Sequence, residues 1–124
     1  MRGFTASIGG RDIEIAATFG AAREISEKVA DPIAIVREAT LEEQIGAHIY
    51  KARFAFTVKN IPVILLAGAR AAGSKMTLDE MQEACFNEGF LECKPHAFNL
   101  ILMLTTPKTD EKPDAESEST EAGN

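Results

Sequence analysis

Thr57–Phe90, TVKNIPVILLAGARAAGSKMTLDEMQEACFNEGF, holds the pattern that decides the fold. Val63, Ile64, Leu65, Leu66, Ala67 and Ala69 leave almost no polar face, so this segment predicts a central, buried helix. Asn60 is the expected cap, and Pro62 is tolerated because it lies within the first turn. Gly73 ends the helix, since glycine adopts the left-handed conformation that closes many helices. Thr77-Leu-Asp-Glu80 then opens a second helix with a capping box, in which hydroxyl and carboxylate each satisfy a backbone amide. Leu78, Met81, Cys85 and Phe86 are the expected buried stripe of that helix.

Upstream, Phe4, Ala6 and Ile8 alternate with polar residues, as do Ile13 and Ile15, and Gly9-Gly10 sits between the two runs. That is a β-hairpin signal, because two glycines accept the positive φ angles of a tight turn. Closing the chain there sets Ile8 opposite Arg11, Ala6 opposite Ile13 and Phe4 opposite Ile15. Both apolar sets then share one face, which a slip of one residue would separate. A lone hairpin is marginal in water, so its apolar face must cover helices or gain a third strand. Tyr50–Thr57 alternates with period two and would supply that strand, but Leu41, Ile45 and Ile49 fit a helix equally.

The remaining helices follow from three- and four-residue spacing. Phe19, Ala21, Ala22, Ile25 and Val29 mark one. Asp31-Pro32 starts another, with Ile33, Val36 and Leu41 as its apolar positions. A last helix begins near Pro95 and presents Phe98, Ile101, Leu102 and Leu104 before Pro107. The expectation is therefore an α+β domain over 1–107: an N-terminal β-hairpin, with a third strand if Tyr50–Thr57 pairs, packed on four to five short helices.

After Pro107 the composition changes. The segment 108–124, KTDEKPDAESESTEAGN, carries Asp110, Glu111, Asp114, Glu116, Glu118 and Glu121 against Lys108 and Lys112, a net −4 of the chain's −6. It has no large apolar residue to offset its ordering entropy, so a disordered acidic tail is expected. It acts either as a solubilising extension or as an arm that engages a partner.

Composition also excludes function classes. At 124 residues with 45% hydrophobic content, the chain suits one modest core. The longest apolar run, Ile61–Ala67, is far short of the roughly 20 residues that span a bilayer. The N-terminus MRGFTASIGGRDIEI lacks the unbroken apolar block of a secretory signal. With two cysteines and no other export signal, a cytoplasmic protein with reduced thiols is the expectation. A pI near 4.9 argues against a nucleic-acid binder, which needs a basic face.

Three chemical motifs nearly form. Gly68-Ala-Arg-Ala-Ala-Gly73-Ser74-Lys75 resembles a phosphate-binding P-loop, but Ser and Lys are reversed, so neither group meets phosphate or magnesium. Cys93-x-x-His96, with Cys85 near in sequence and His48 distant, has one ligand-like spacing where structural zinc sites use two. The same pair lacks the surrounding groups that nucleophilic catalysis requires. No serine stands in the Asp-Ser-Leu context of an acyl carrier. No residue is thus assigned a catalytic, cofactor-binding or metal-binding role, and the chain is read as a non-enzyme.

One resemblance draws these elements together. Gly10-Arg11 in a hairpin, Thr18-Phe19-Gly20-Ala21 at a helix start, the apolar helix Ile61–Gly73 with its Gly68-x-x-x-x-Gly73 ending, and the capped helix from Thr77 resemble the small tail proteins of phages and gene transfer agents. The likeness runs over about residues 4–105 and departs from the pattern in Leu41–Phe56, which reads as an insertion. Its motifs are packing and capping elements rather than chemistry. Members of that family are encoded between the major tail protein and the tape measure protein, and are tail components or tail assembly chaperones. The resemblance implies a protein that binds tape measure or tail tube subunits in the host cytoplasm, without catalysis, nucleic acid or membrane, and with self-association open. Phe54 and Phe56 are the sequence candidates for an exposed binding surface, against burial in the core. The competing class is a small acidic inhibitor or antitoxin-like interaction module.

Overall fold

The computed structural model describes residues 2–45 and 56–107, the side chains of 41–45 excepted. Two strands, β1 (Arg2–Ile8) and β2 (Arg11–Ala17), are followed by five helices: α1 (Phe19–Lys28), α2 (Pro32–Ile45), α3 (Asn60–Ala71), α4 (Leu78–Glu88) and α5 (Phe90–Thr105). The architecture is α+β, with the two strands paired antiparallel in the register that the sequence requires: Phe4 opposite Ile15, Ala6 opposite Ile13, Ile8 opposite Arg11. Both turn glycines have positive φ, 59° at Gly9 and 81° at Gly10, the combination that matches the strands' right-handed twist. Thr5, Ser7, Asp12 and Glu14 face solvent, where the Thr5 hydroxyl donates to Glu14 Oε2 at 2.7 Å.

Helix α3 is the hub. It packs against β2, α1, α4 and α5, and Ile61, Ile64, Leu65, Leu66, Ala67 and Ala69 are all buried. This near-continuous burial explains why its sequence shows almost no polar face. Gly68 allows the close approach: a Cβ there would lie 2.5 Å from Ile15 Cγ2 and 2.8 Å from Leu100 Cδ2. The helix closes as expected, with Gly73 at φ 96°. Its amide donates to the Arg70 carbonyl at 2.9 Å, and that of Ser74 to Ala69 at 2.9 Å, the paired bonds of a Schellman end. The start differs from expectation. Asn60 is the first helical residue, Lys59 holds the N-cap position without a side-chain cap bond, and the Asn60 amide donates to Thr57 Oγ1 at 3.0 Å in the preceding turn.

The capping box of α4 is complete, with Glu80 N donating to Thr77 Oγ1 at 3.2 Å and Thr77 N to Glu80 Oε1 at 2.9 Å. This helix receives the hairpin turn. Gly9 N donates to Glu88 Oε1 at 2.9 Å, and a Cβ on Gly9 would come within 2.7 Å of the Ala84 carbonyl oxygen. At the other end of the hairpin, the Arg2 guanidinium donates to the carbonyls of Met103, Thr106 and Pro107. A cation thereby sits at the negative end of α5 and satisfies carbonyls left open there. Glu24 Oε2 joins α1 to α3 through Arg70 at 2.7 Å and also meets Lys28 at 3.1 Å, surface pairs contributing about 1 kcal/mol or less each.

Several side chains fall on faces other than those expected. In α1 the buried residues are Ala21 and Ile25, while Phe19, about 200° round the helix from Ala21, is exposed. In α2 Ile35 is buried and Ile33 exposed, separated by the same angle. The stripe of α4 is Met81, Ala84 and Cys85; it faces the hairpin turn and α3, leaving Leu78 at its margin and Phe86 outside it. Helix α5 starts at Phe90, five residues earlier than expected, so Pro95 lies within it. Leu91, whose carbonyl loses its donor to Pro95, shares the exposed face with the proline, so water can replace the missing bond. Of the expected third strand, 50–55 lies outside the described residues, and Phe56 and Thr57 belong to the turn before α3. The acidic tail, 108–124, also lies outside them.

Candidate functional site

The near-motifs resolve into packing. Gly68 is buried in mid-helix and Gly73 forms a helix end, while the Ser74 hydroxyl accepts from Met76 N at 3.1 Å. The P-loop look-alike is thus a helix terminus, with no run of free amides arranged around a phosphate. Cys85 and Cys93 are free, buried thiols, with Cys93 Sγ 3.9 Å from the Cys85 carbonyl. His96 stacks on Phe4, ring centroids 6.4 Å apart. Among the described residues, no three His, Cys, Asp or Glu side chains gather where they would hold a metal ion.

Burial sets the state of the thiols. Desolvation, reinforced by the neighbouring Cys93, pushes Cys85 from the ordinary 9.0 up to about 12. Cys93 is also raised, by burial first and then by Glu88 and Glu92, against a lowering hydrogen bond with Cys85. Both remain neutral thiols near pH 7 and behave as small apolar groups. A folded-state value raised above the unfolded one means stability that is complete below about pH 9 and is lost as pH rises towards about 12. The melting-temperature advantage of wild type over Cys85→Val should therefore shrink across that window. A constant difference in a pH series of thermal melts would contradict the burial assigned to this thiol.

What the surface offers instead is apolar. One region is a shallow groove of about 430 Å³ between α1, the start of α2 and the end of α5, lined by Phe19, Ala22, Pro32, Ile33 and Leu104 among others. Phe19 is 78% exposed and Ile33 60%, and the Arg23 guanidinium lies 5.5 Å from the Phe19 ring centre. The second region is the α4–α5 corner at Gly89, φ 102°. There Phe86 is 73% and Leu91 84% exposed, and Phe86 meets the half-buried Phe90 edge to face at 6.4 Å. Scattered single apolar residues are ordinary on a protein surface, whereas these large ones stand close together at two places.

Of the two sequence candidates, Phe56 is half-buried against the core, edge-on to Phe98 at 5.7 Å and covered by Lys94 Nζ at 5.7 Å. It is committed to internal packing. Phe54 lies outside the described residues. Among the large apolar residues that do face solvent, which also include Val58 and Leu78, spacing assigns Phe19, Ile33 and Phe86 to buried stripes and Leu91 to none. The usable signal was angular: once Ala21–Ile25 and Met81–Cys85 are taken as the inward faces, Phe19 and Phe86 must point elsewhere.

Among the described residues, no helix is long and apolar enough to cross a membrane. Comparison with protein-family models, curated proteins and solved structures gave no significant match to this chain.

Proposed function

We propose that the protein is a non-enzymatic assembly factor of phage or gene-transfer-agent tails, a chaperone that shields apolar segments of tape measure or tail tube subunits in the host cytoplasm. The observation that carries this reading is the exposure of Phe19, Ile33, Phe86 and Leu91 on a domain whose polar near-motifs are spent on caps and packing. Its support from sequence is the likeness of the hairpin, the Phe-Gly-Ala helix start and the Gly68-x-x-x-x-Gly73 helix to small tail proteins. Exposed apolar side chains beside a net charge of −6 suit a holdase: the former bind and the latter keeps the complex dispersed.

Co-expression with a tape measure protein should raise the soluble yield of that protein several-fold and allow the two to be isolated together. An unrelated acidic protein of similar size is the control. Equal yield and equal recovery with the control would refute the chaperone reading.

A further inference from the structure

The two apolar surfaces differ in their charge, and that difference selects a partner chemistry for one of them. From Met76 to Cys93 the chain carries Asp79, Glu80, Glu83, Glu88 and Glu92 and not one Lys, Arg or His. Glu80 is occupied by the capping box and Glu88 accepts from the hairpin turn at Gly9. Asp79, Glu83 and Glu92 remain exposed on the same two helices as Phe86 and Leu91. Of the flanking cations, Lys94 lies over Phe56, and Lys75 precedes the capping box of α4. Arg11, beyond the hairpin turn, lines a different groove with Ala72 and Gly73. The groove at Phe19 has no such bias, since Arg23 and Asp31 both line it.

We infer that the α4–α5 corner, Phe86 with Phe90 and Leu91 inside this cation-free acidic stretch, is the docking face for a basic amphipathic segment of a partner protein. The inference rests on the interaction reading above and adds to it a place and a chemistry. Apolar side chains of the incoming segment cover Phe86 and Leu91, and its Lys or Arg residues meet Asp79, Glu83 and Glu92. The apolar face of the incoming segment would meet the exposed side chains of the corner, with a charged rim that sets specificity and on-rate. A second copy of this chain would bring an equally acidic rim against the first, which like-charge repulsion opposes. Nucleic acid and anionic lipid are disfavoured for the same reason.

The test uses the full-length protein and a fluorescent amphipathic peptide of about 18 residues built from Leu and Lys, with a Leu/Glu peptide of the same pattern as control. The Leu/Lys peptide should bind, more weakly as salt is raised, and the Leu/Glu peptide should not. The double variant Phe86→Ser, Leu91→Ser keeps the net charge and should weaken binding about tenfold or more. Phe19→Ser with Ile33→Ser should leave it within about twofold. Should the first pair disturb the thermal melt, Glu83→Lys with Glu92→Lys tests the same face with its apolar centre intact, and should again weaken binding while preserving the melt. Unchanged affinity in the tested pair, equal binding of the Leu/Glu peptide, or loss of binding through Phe19 and Ile33 would each overturn the assignment. If the assignment fails while the wild type still solubilises a tape measure protein, the chaperone reading stands and only the docking face is wrong. If the wild type gives no such effect, that reading fails whatever the peptide does.

Discussion

Leu65→Asp should abolish the cooperative thermal transition. Leu65 is completely buried in α3, the helix that touches β2, α1, α4 and α5 at once. Removing the leucine side chain alone costs about 2–5 kcal/mol, from lost transfer energy and the cavity left behind. An aspartate there adds a carboxylate with no water, and the unfavourable energy of an unpaired buried charge is several kcal/mol more even after relaxation. Against a total stability of about 5–15 kcal/mol for a domain of this size, the sum leaves little or no folded population. Leu65→Ala should lower the melting temperature yet keep a single transition. Far-ultraviolet circular dichroism during heating checks both variants. Cooperative melting of Leu65→Asp near the wild-type temperature would mean that α3 is not the centre of the fold.

The hairpin was legible to the residue, because its information is local and redundant. Two runs of alternation, two adjacent glycines and a register that puts Phe4, Ala6, Ile13 and Ile15 together all point one way. The capping box at Thr77 and the Schellman end at Gly73 were legible for the same reason: each depends on residues within six positions of one another. Helix faces were harder. An amphipathic pattern gives a direction only when polar residues mark the outside, and α1 and α2 each hold apolar residues about 200° apart, Phe19 with Ala21 and Ile33 with Ile35. Which one turns inward is decided by what the helix packs against, and sequence spacing does not carry that. In α4, contact between Ala84 and the hairpin turn fixes the rotation and sends Phe86 outward. The candidate surface was illegible for the same reason, since its residues matter by being on the wrong side of their own helices.

The apolar exposure has an energetic consequence for how this domain is built. A small domain that leaves Phe19, Ile33, Phe86 and Leu91 largely in water forgoes a good part of the roughly 1.5–3 kcal/mol that full burial of each would contribute. Its core must therefore be dense where it exists. A close approach in that core is at Gly68, where α3 meets β2 and α5 together.

Gly68→Val should accordingly be among the most damaging conservative changes in the chain. By helix propensity alone, replacing a mid-helix glycine with alanine stabilises by about 1 kcal/mol. Here the new Cβ would lie 2.5 Å from Ile15 Cγ2 and 2.8 Å from Leu100 Cδ2, well inside van der Waals contact. Leu100 can rotate away, but the Ile15 methyl is held by a β-branched side chain on a paired strand, so α3 itself must shift. Overpacking of this kind costs about 1–3 kcal/mol for small additions, enough to cancel or reverse the propensity gain of alanine. Valine adds two further methyl groups and a helix-disfavouring branch, and the net loss should exceed that of Gly68→Ala. A double-mutant cycle separates packing from propensity: Leu100→Ala opens space beside Gly68, so Gly68→Ala should be better tolerated in that background, with a coupling of about 0.5–3 kcal/mol. Urea titrations of the four proteins give the coupling directly. Additive effects, or a Gly68→Ala protein more stable than wild type by the full propensity difference, would show that α3 does not approach β2 and α5 as closely as described.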